Sequence, residues 1–212
     1  MNAGVNDSVA DGSQTTAVTI AVVDASSADA YDSVADQTVT VTTTDNETAA
    51  FTLSTTTASV SEAATTGTFT AVLGAQPPSD VVLSVTSADT DEATVSPSTL
   101  TFTDNDWDSA QTVTVTGVND SLVDGSQTTA VTLAVVDGSS ADAFDSLADQ
   151  TVTVTTSDND TASITLSTTT ATVSEAGSTG TFTAVLETQP ASDVVLSVTS
   201  ADTDEATVSP ST

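Results

Sequence analysis

Gln111-Thr112-Val113-Thr114-Val115-Thr116 runs into Gly117-Val118-Asn119-Asp120-Ser121-Leu122-Val123-Asp124-Gly125, and Thr128-Thr129-Ala130-Val131-Thr132-Leu133-Ala134-Val135-Val136 follows. The flanking runs alternate apolar and polar residues with period two, the pattern of half-buried β-strands. The stretch between them is built of turn residues and aspartates, so it reads as an acidic loop joining two strands. The same loop occurs earlier as Gly4-Val5-Asn6-Asp7-Ser8-Val9-Ala10-Asp11-Gly12.

The duplication extends beyond the loop. Gly4 and Gly117, Asp11 and Asp124, Asp45 and Asp158, Glu62 and Glu175, and Pro97 and Pro210 are each 113 residues apart, with no gap. Solenoid repeats are shorter, about 20–45 residues; a whole β-sandwich of about 100 residues fits this period. The predicted fold is all-β: tandem immunoglobulin-like antiparallel β-sandwich modules. The expected division is the C-terminal half of a module at 1–47, a complete module at 48–160, and the N-terminal half of a following one at 161–212. The piece matching Leu100 through Val113 has no counterpart after Thr212. Either the chain is a window of a longer array, or open halves of different chains complete each other by strand addition.

Within 48–160, strands are expected at 50–53, 58–60, 68–73, 80–85, 93–95, 100–102, 112–115, 130–135 and 151–155. Outward positions are dominated by Thr, which fits a pleated surface and keeps it wet. Residues 137–149 show no strand pattern; Phe144, matched by Tyr31 in the earlier copy, is expected to anchor that loop.

Charge narrows the function. The chain carries 30 Asp plus Glu and no Lys, Arg or His, a formal charge of −30. It cannot neutralise phosphates, which excludes nucleic-acid partners, and it is repelled by anionic membranes. Self-repulsion opposes compaction, so an external cation is expected. Apolar residues make up 37% and are patterned as strands, which argues against disorder. There is no cysteine, hence no disulfide framework or thiolate site. No apolar run reaches the roughly 18 residues of a membrane span, so no direct membrane insertion is expected. Met1-Asn2-Ala3 lacks the features of a secretion signal.

The carboxylates fall at strand ends: Glu62; Asp89 and Asp91; Asp120 and Asp124; Asp158 and Asp160. Asp7, Asp11, Asp45, Glu47, Glu175, Asp202 and Asp204 occupy the matching positions of the partial copies. Alternate connections of an antiparallel sandwich share an end, so 86–92, 117–126 and 158–160 can meet. Each Asp taken alone can be a turn residue. As a set of hard oxygen donors without a basic partner, they suit Ca²⁺, which takes about six to eight oxygens. Asp104-Asn105-Asp106 reads as a plain turn. Four Asn-x-Ser/Thr sequons, at Asn6, Asn46, Asn119 and Asn159, lie in the same loops and read as turn chemistry rather than glycosylation sites.

The Val-x-Glu element at Val60-Ser61-Glu62, the Asn-Asp-x-x-x-Asp-Gly loop at 119–125 and the Asp-Asn-Asp at 158–160 resemble the Calx-beta domain. That family includes calcium sensors of sodium–calcium exchangers and repeats of giant bacterial surface adhesins. The resemblance implies a seven-stranded immunoglobulin-like sandwich with Ca²⁺ at one end. It implies ligand roles for Glu62 and Glu175, for Asp89 or Asp91, for Asp120 and Asp124, and for Asp158 and Asp160. Asn119 and Asn159 stand where the family often has acids. Near-identical tandem copies point to the adhesin branch.

The expected function is therefore a non-catalytic, calcium-stabilised spacer in an extracellular or cell-surface adhesin or fibre. Its partners are neighbouring copies of the repeat in cis or other chains of the same fibre. The alternative is a filament subunit that polymerises through its incomplete ends. An enzyme is not expected: paired carboxylates are abundant by composition alone, and there is no His, Cys or Lys and almost no aromatic platform for a sugar.

Overall fold

Fifteen strands occur among residues 4–211, which the computed structural model describes. In chain order they are β1 (Gln14–Ile20), β2 (Gln37–Thr43), β3 (Phe51–Leu53), β4 (Thr57–Ser61), β5 (Thr66–Leu73), β6 (Val81–Ser87), β7 (Ala93–Ser96) and β8 (Thr99–Phe102). Then follow β9 (Gln111–Gly117), β10 (Leu122–Val123), β11 (Gln127–Val135), β12 (Gln150–Ser157), β13 (Ile164–Leu166), β14 (Ala184–Leu186) and β15 (Gln189–Pro190). The only helical pieces among the described residues are single 3₁₀ turns.

Residues 51–157 form a two-layer sandwich, one sheet ordered β4-β12-β11-β6-β8 and the other β3-β5-β9-β7. Alternation decides the layers. In β6, Val81, Leu83 and Val85 are buried while Val82 and Ser84 are half-exposed. β9, β11 and β12 repeat the pattern through Val113 and Val115, Val131 and Leu133, and Val152 and Val154. Phe69, Phe102 and Phe144 fill the centre between the sheets. Each such side chain contributes about 1.5–3 kcal/mol when fully buried.

Within the two sheets of the sandwich, one pairing departs from the antiparallel expectation. β4 runs parallel to β12, from Thr57 opposite Thr153 to Ser61 opposite Ser157. The cause is a change of sheet at Ser54-Thr55-Thr56. β3 pairs with β5, and the chain then crosses so that β4 lies beside the last strand in the same direction. Side chains fix the kink: Thr55 Oγ1 accepts from the Thr57 N–H, and Ser54 Oγ accepts from the Thr70 N–H. The crossing seals the sandwich edge and delivers Glu62, just past β4, to the end of β12.

Phe144 is fully buried and anchors its loop as expected, with the Ala141 N–H bonded to Asp80 O at 3.0 Å. Its counterpart Tyr31 is 62% exposed. Tyr31 belongs to the β1–β2 hairpin, a two-stranded sheet with no second sheet against it among the described residues, so Ile20 and Val39 are exposed too. Residues 161–211 form only the β13–β14 pair and the short β15. Asp104-Asn105-Asp106 is a turn, held by Asp106 Oδ1 accepting from the Thr103 N–H and hydroxyl.

Candidate metal centre

Three connections meet at one end of the sandwich. A close approach sets the geometry: a Cβ on Gly117 would collide with the Ser61 carbonyl, whose carbon would lie 2.8 Å away. Glycine therefore lets the end of β9 lie against the end of β4, and the acidic loop starts beside Glu62. The 88–92 turn is tied in through Glu92 O, which accepts from the Val118 N–H at 3.0 Å and from the Thr156 hydroxyl at 3.2 Å.

Glu62, Asp120 and Asp160 converge there, with one carboxylate oxygen of each lying within 4.8 Å of the others. Glu62 is 2% exposed, Asp160 half-buried and Asp120 exposed. Glu62 Oε2 accepts from the Asn159 N–H at 3.1 Å, and Asp120 Oδ1 accepts from the Leu122 N–H at 2.7 Å. Asp124 Oδ1 and Asp160 Oδ2 are buried with no hydrogen-bond donor. Such acceptors are costly unless something positive reaches them.

Asp158 does a different job. Its Oδ2 accepts from the Gly125 N–H at 2.8 Å and the Asp124 N–H at 3.2 Å, and its Oδ1 from the Asp160 N–H at 2.6 Å. Gly125 has φ +76°, the left-handed conformation that favours glycine and aims its N–H at the carboxylate. These N–H groups, that of Asp160 first, hold the Asp158 carboxyl below the usual range. Burial, followed by the charges of Asp158, Asp120 and Asp160, pushes Glu62 up against the opposing Asn159 N–H.

Sequence reasoning missed Glu92, whose carboxyl burial pushes up, with the charges of Asp124, Asp89, Asp120 and Glu62 adding to the rise. The available signal was its place, directly before the buried Ala93 that opens β7. Asp89 and Asp91 are exposed and bond locally, the Asp91 N–H to Asp89 Oδ1 at 3.0 Å.

Asp7, Asp11, Asp45 and Glu47 line one cleft in the upstream segment. Asp45 repeats the role of Asp158, accepting from the Gly12 and Glu47 N–H groups at 2.7 Å each. Glu175, Asp202 and Asp204 are all exposed, and the Asp204 N–H bonds Asp202 Oδ1. The flanking segments thus hold parts of the set, whereas Glu62, Asp120 and Asp160 converge at one end of the sandwich. Two of the sequon asparagines bond to each other, Asn159 Nδ2 to Asn119 Oδ1 at 2.8 Å, as turn-forming side chains do.

No protein-family model matches this chain, and no curated protein matches it. Solved structures that resemble it include domains 4 and 5 of the S-layer protein SbsC, at 23% identity and TM-score 0.37, covering 60% of this chain and 61% of that one. Domains 1–6 of the surface layer protein SbsC match at 17% identity and TM-score 0.40, covering 82% of this chain and 25% of that one. SSP-19, an MSP-domain protein like family member in Caenorhabditis elegans, matches at 18% identity and TM-score 0.35, covering 50% and 97%. Likeness at this level carries no functional argument.

Proposed function

We propose that the chain is a non-catalytic, calcium-stabilised spacer of a repetitive extracellular or cell-surface adhesin or fibre, of Calx-beta type. The observation that carries this reading is the convergence of Glu62, Asp120 and Asp160 in a chain with no Lys, Arg or His. The donor set is all oxygen, which favours a hard cation such as Ca²⁺ over the softer metals. The orphaned oxygens of Asp124 and Asp160 fit the same occupant. Calcium bound there would neutralise the loop, join three connections and stiffen one end of the sandwich.

The flanking segments support a repetitive assembly. Phe182, Val194 and Val195 downstream and Ile20 and Val39 upstream are exposed apolar residues on strand-forming sequence. A further copy of the repeat, in the same chain or a neighbouring one, is the complement they call for. No helix among the described residues is long and apolar enough to cross a membrane.

The test is calorimetry and small-angle scattering of the chain in calcium and in a chelator. Calcium should raise the melting temperature and narrow the conformational distribution; identical melts and identical scattering in both would end the reading.

A further inference from the structure

Two short backbone contacts, 113 residues apart, bind the flanking segments and the sandwich in the same way. Upstream, the Ala10 N–H donates to Gln76 O at 2.8 Å and the Gln76 N–H donates to Ser8 O at 3.0 Å, a parallel bridge between Val9 and Gln76. Downstream, β10 runs parallel to β15, Leu122 opposite Gln189 and Val123 opposite Pro190, and the Gln189 N–H donates to Ser121 O at 3.0 Å. Ser8 matches Ser121 and Gln76 matches Gln189 in the repeat.

We propose that this bridge is the joint between successive repeat units. The acidic loop of each unit adds a short parallel strand to the turn after the counterpart of β5 in the next unit, so the partner of that turn is another copy of the same repeat. The upstream contact is seated by side chains. Ala10 is 3% exposed and joins the sandwich core beside Ala75. Ser8 Oγ donates to Gln76 Oε1 at 2.9 Å, and Gln76 Nε2 donates to Asp104 O at 2.9 Å.

The use of backbone and neutral side chains has a physical reason. Facing surfaces of two copies both carry carboxylates and no cation, so charged contacts would repel. Main-chain hydrogen bonds avoid that. The chain itself also crosses each boundary, and its entry is pinned inside the next unit: Ala50 O accepts from the Gly74 N–H at 2.8 Å, and Ser163 O from the Glu187 N–H at 3.1 Å. Asp45 and Asp158 tie the loop to this connecting segment through the bonds to Gly12 and Glu47, and to Gly125 and Asp160. One crossing is a pivot, and relative motion is then the default. Two crossings bound together remove the swing.

The joint deepens the spacer reading and rests on it for its purpose, but none of its hydrogen bonds needs a metal. The test uses the full chain, which has no native cysteine. Spin labels go at Thr40→Cys on the hairpin and Thr101→Cys on β8, both exposed, and the interspin distance distribution is read by pulsed EPR. A single narrow distribution is expected, retained in chelator. Ala10→Glu, which puts a carboxylate into the contact, should widen it by about twofold or more while the sandwich stays folded by circular dichroism. A broad distribution in the unmodified background, or a width unmoved by Ala10→Glu, overturns the joint. Absence of a calcium effect on melting overturns the spacer's metal and leaves this result standing.

Discussion

Glu62→Gln separates metal binding from structure because the two effects have opposite signs. Gln keeps the shape of Glu62 and its acceptor for the Asn159 N–H but removes one negative charge from a cluster spanning no more than 4.8 Å. At that separation a like-charge pair costs about 1 kcal/mol even at the dielectric of water. Glu62 faces two such partners, so the substitution should stabilise the metal-free sandwich by about 2 kcal/mol. For a domain of this size that is a rise of about 8 °C in melting temperature. Calcium at about a hundred times its dissociation constant should stabilise the unmodified chain by about 2.7 kcal/mol, or about 10 °C. The variant should lose most of that increment, since the charge removed is the one calcium uses. Differential scanning calorimetry with and without calcium reads all four values, and raising salt should shrink the metal-free gain. A variant that melts lower without metal yet keeps the full calcium increment would refute the reasoning.

Three further outcomes follow from the same geometry. Gly117→Ala should destabilise the sandwich by about 3 kcal/mol in urea unfolding, because its Cβ would meet the Ser61 carbonyl. Glu92→Gln should weaken calcium binding measured by titration calorimetry, whereas Asp91→Asn, at an exposed turn position, should leave it nearly unchanged. The pH dependence has two opposed parts. Asp45 and Asp158 lie below the usual carboxylate range, so their stabilisation is complete above that range and is lost as pH falls through the lowered values. Glu62 and Glu92 lie above it, so they destabilise the metal-free chain near neutral pH, and that cost is relieved as pH falls through the raised values. Metal-free melting temperature should therefore rise on mild acidification and fall on stronger acidification, while the calcium increment shrinks over the first step.

Strand positions within 51–157 were readable from residue order, because period-two alternation of Val, Leu and Phe with Thr and Ser suits a sheet with one dry face. Glu62 was placed among the ligands only by the Calx-beta resemblance, whereas the sharing of one end by 86–92, 117–126 and 158–160 was readable, because alternate connections of a sandwich share an end. The parallel β4–β12 pair was not. It depends on a change of sheet at Ser54-Thr55-Thr56, where alternation does not say which sheet a short strand joins. Glu92 escaped notice because the chain looks equally acidic from 89 to 92, and only the buried start of β7 selects one residue of the turn.

The two copies of Asp-Val-Val-Leu-Ser-Val-Thr-Ser, at 80–87 and 193–200, show where local pattern stops. The first contains β6, with Val81 and Leu83 fully buried between β8 and β11. The second forms no strand, and Val194 and Leu196 are 48% and 37% exposed. Glu62 and Glu175 divide in the same way, one buried in the cluster and one in solvent. Residue order dictates which faces are apolar and where the acids stand. A strand, however, needs neighbours on its edges and a sheet on its dry face, and a carboxylate cluster needs three distant loops brought together. Those come only from the packed sandwich, in which loop-closure entropy is offset by a shared core.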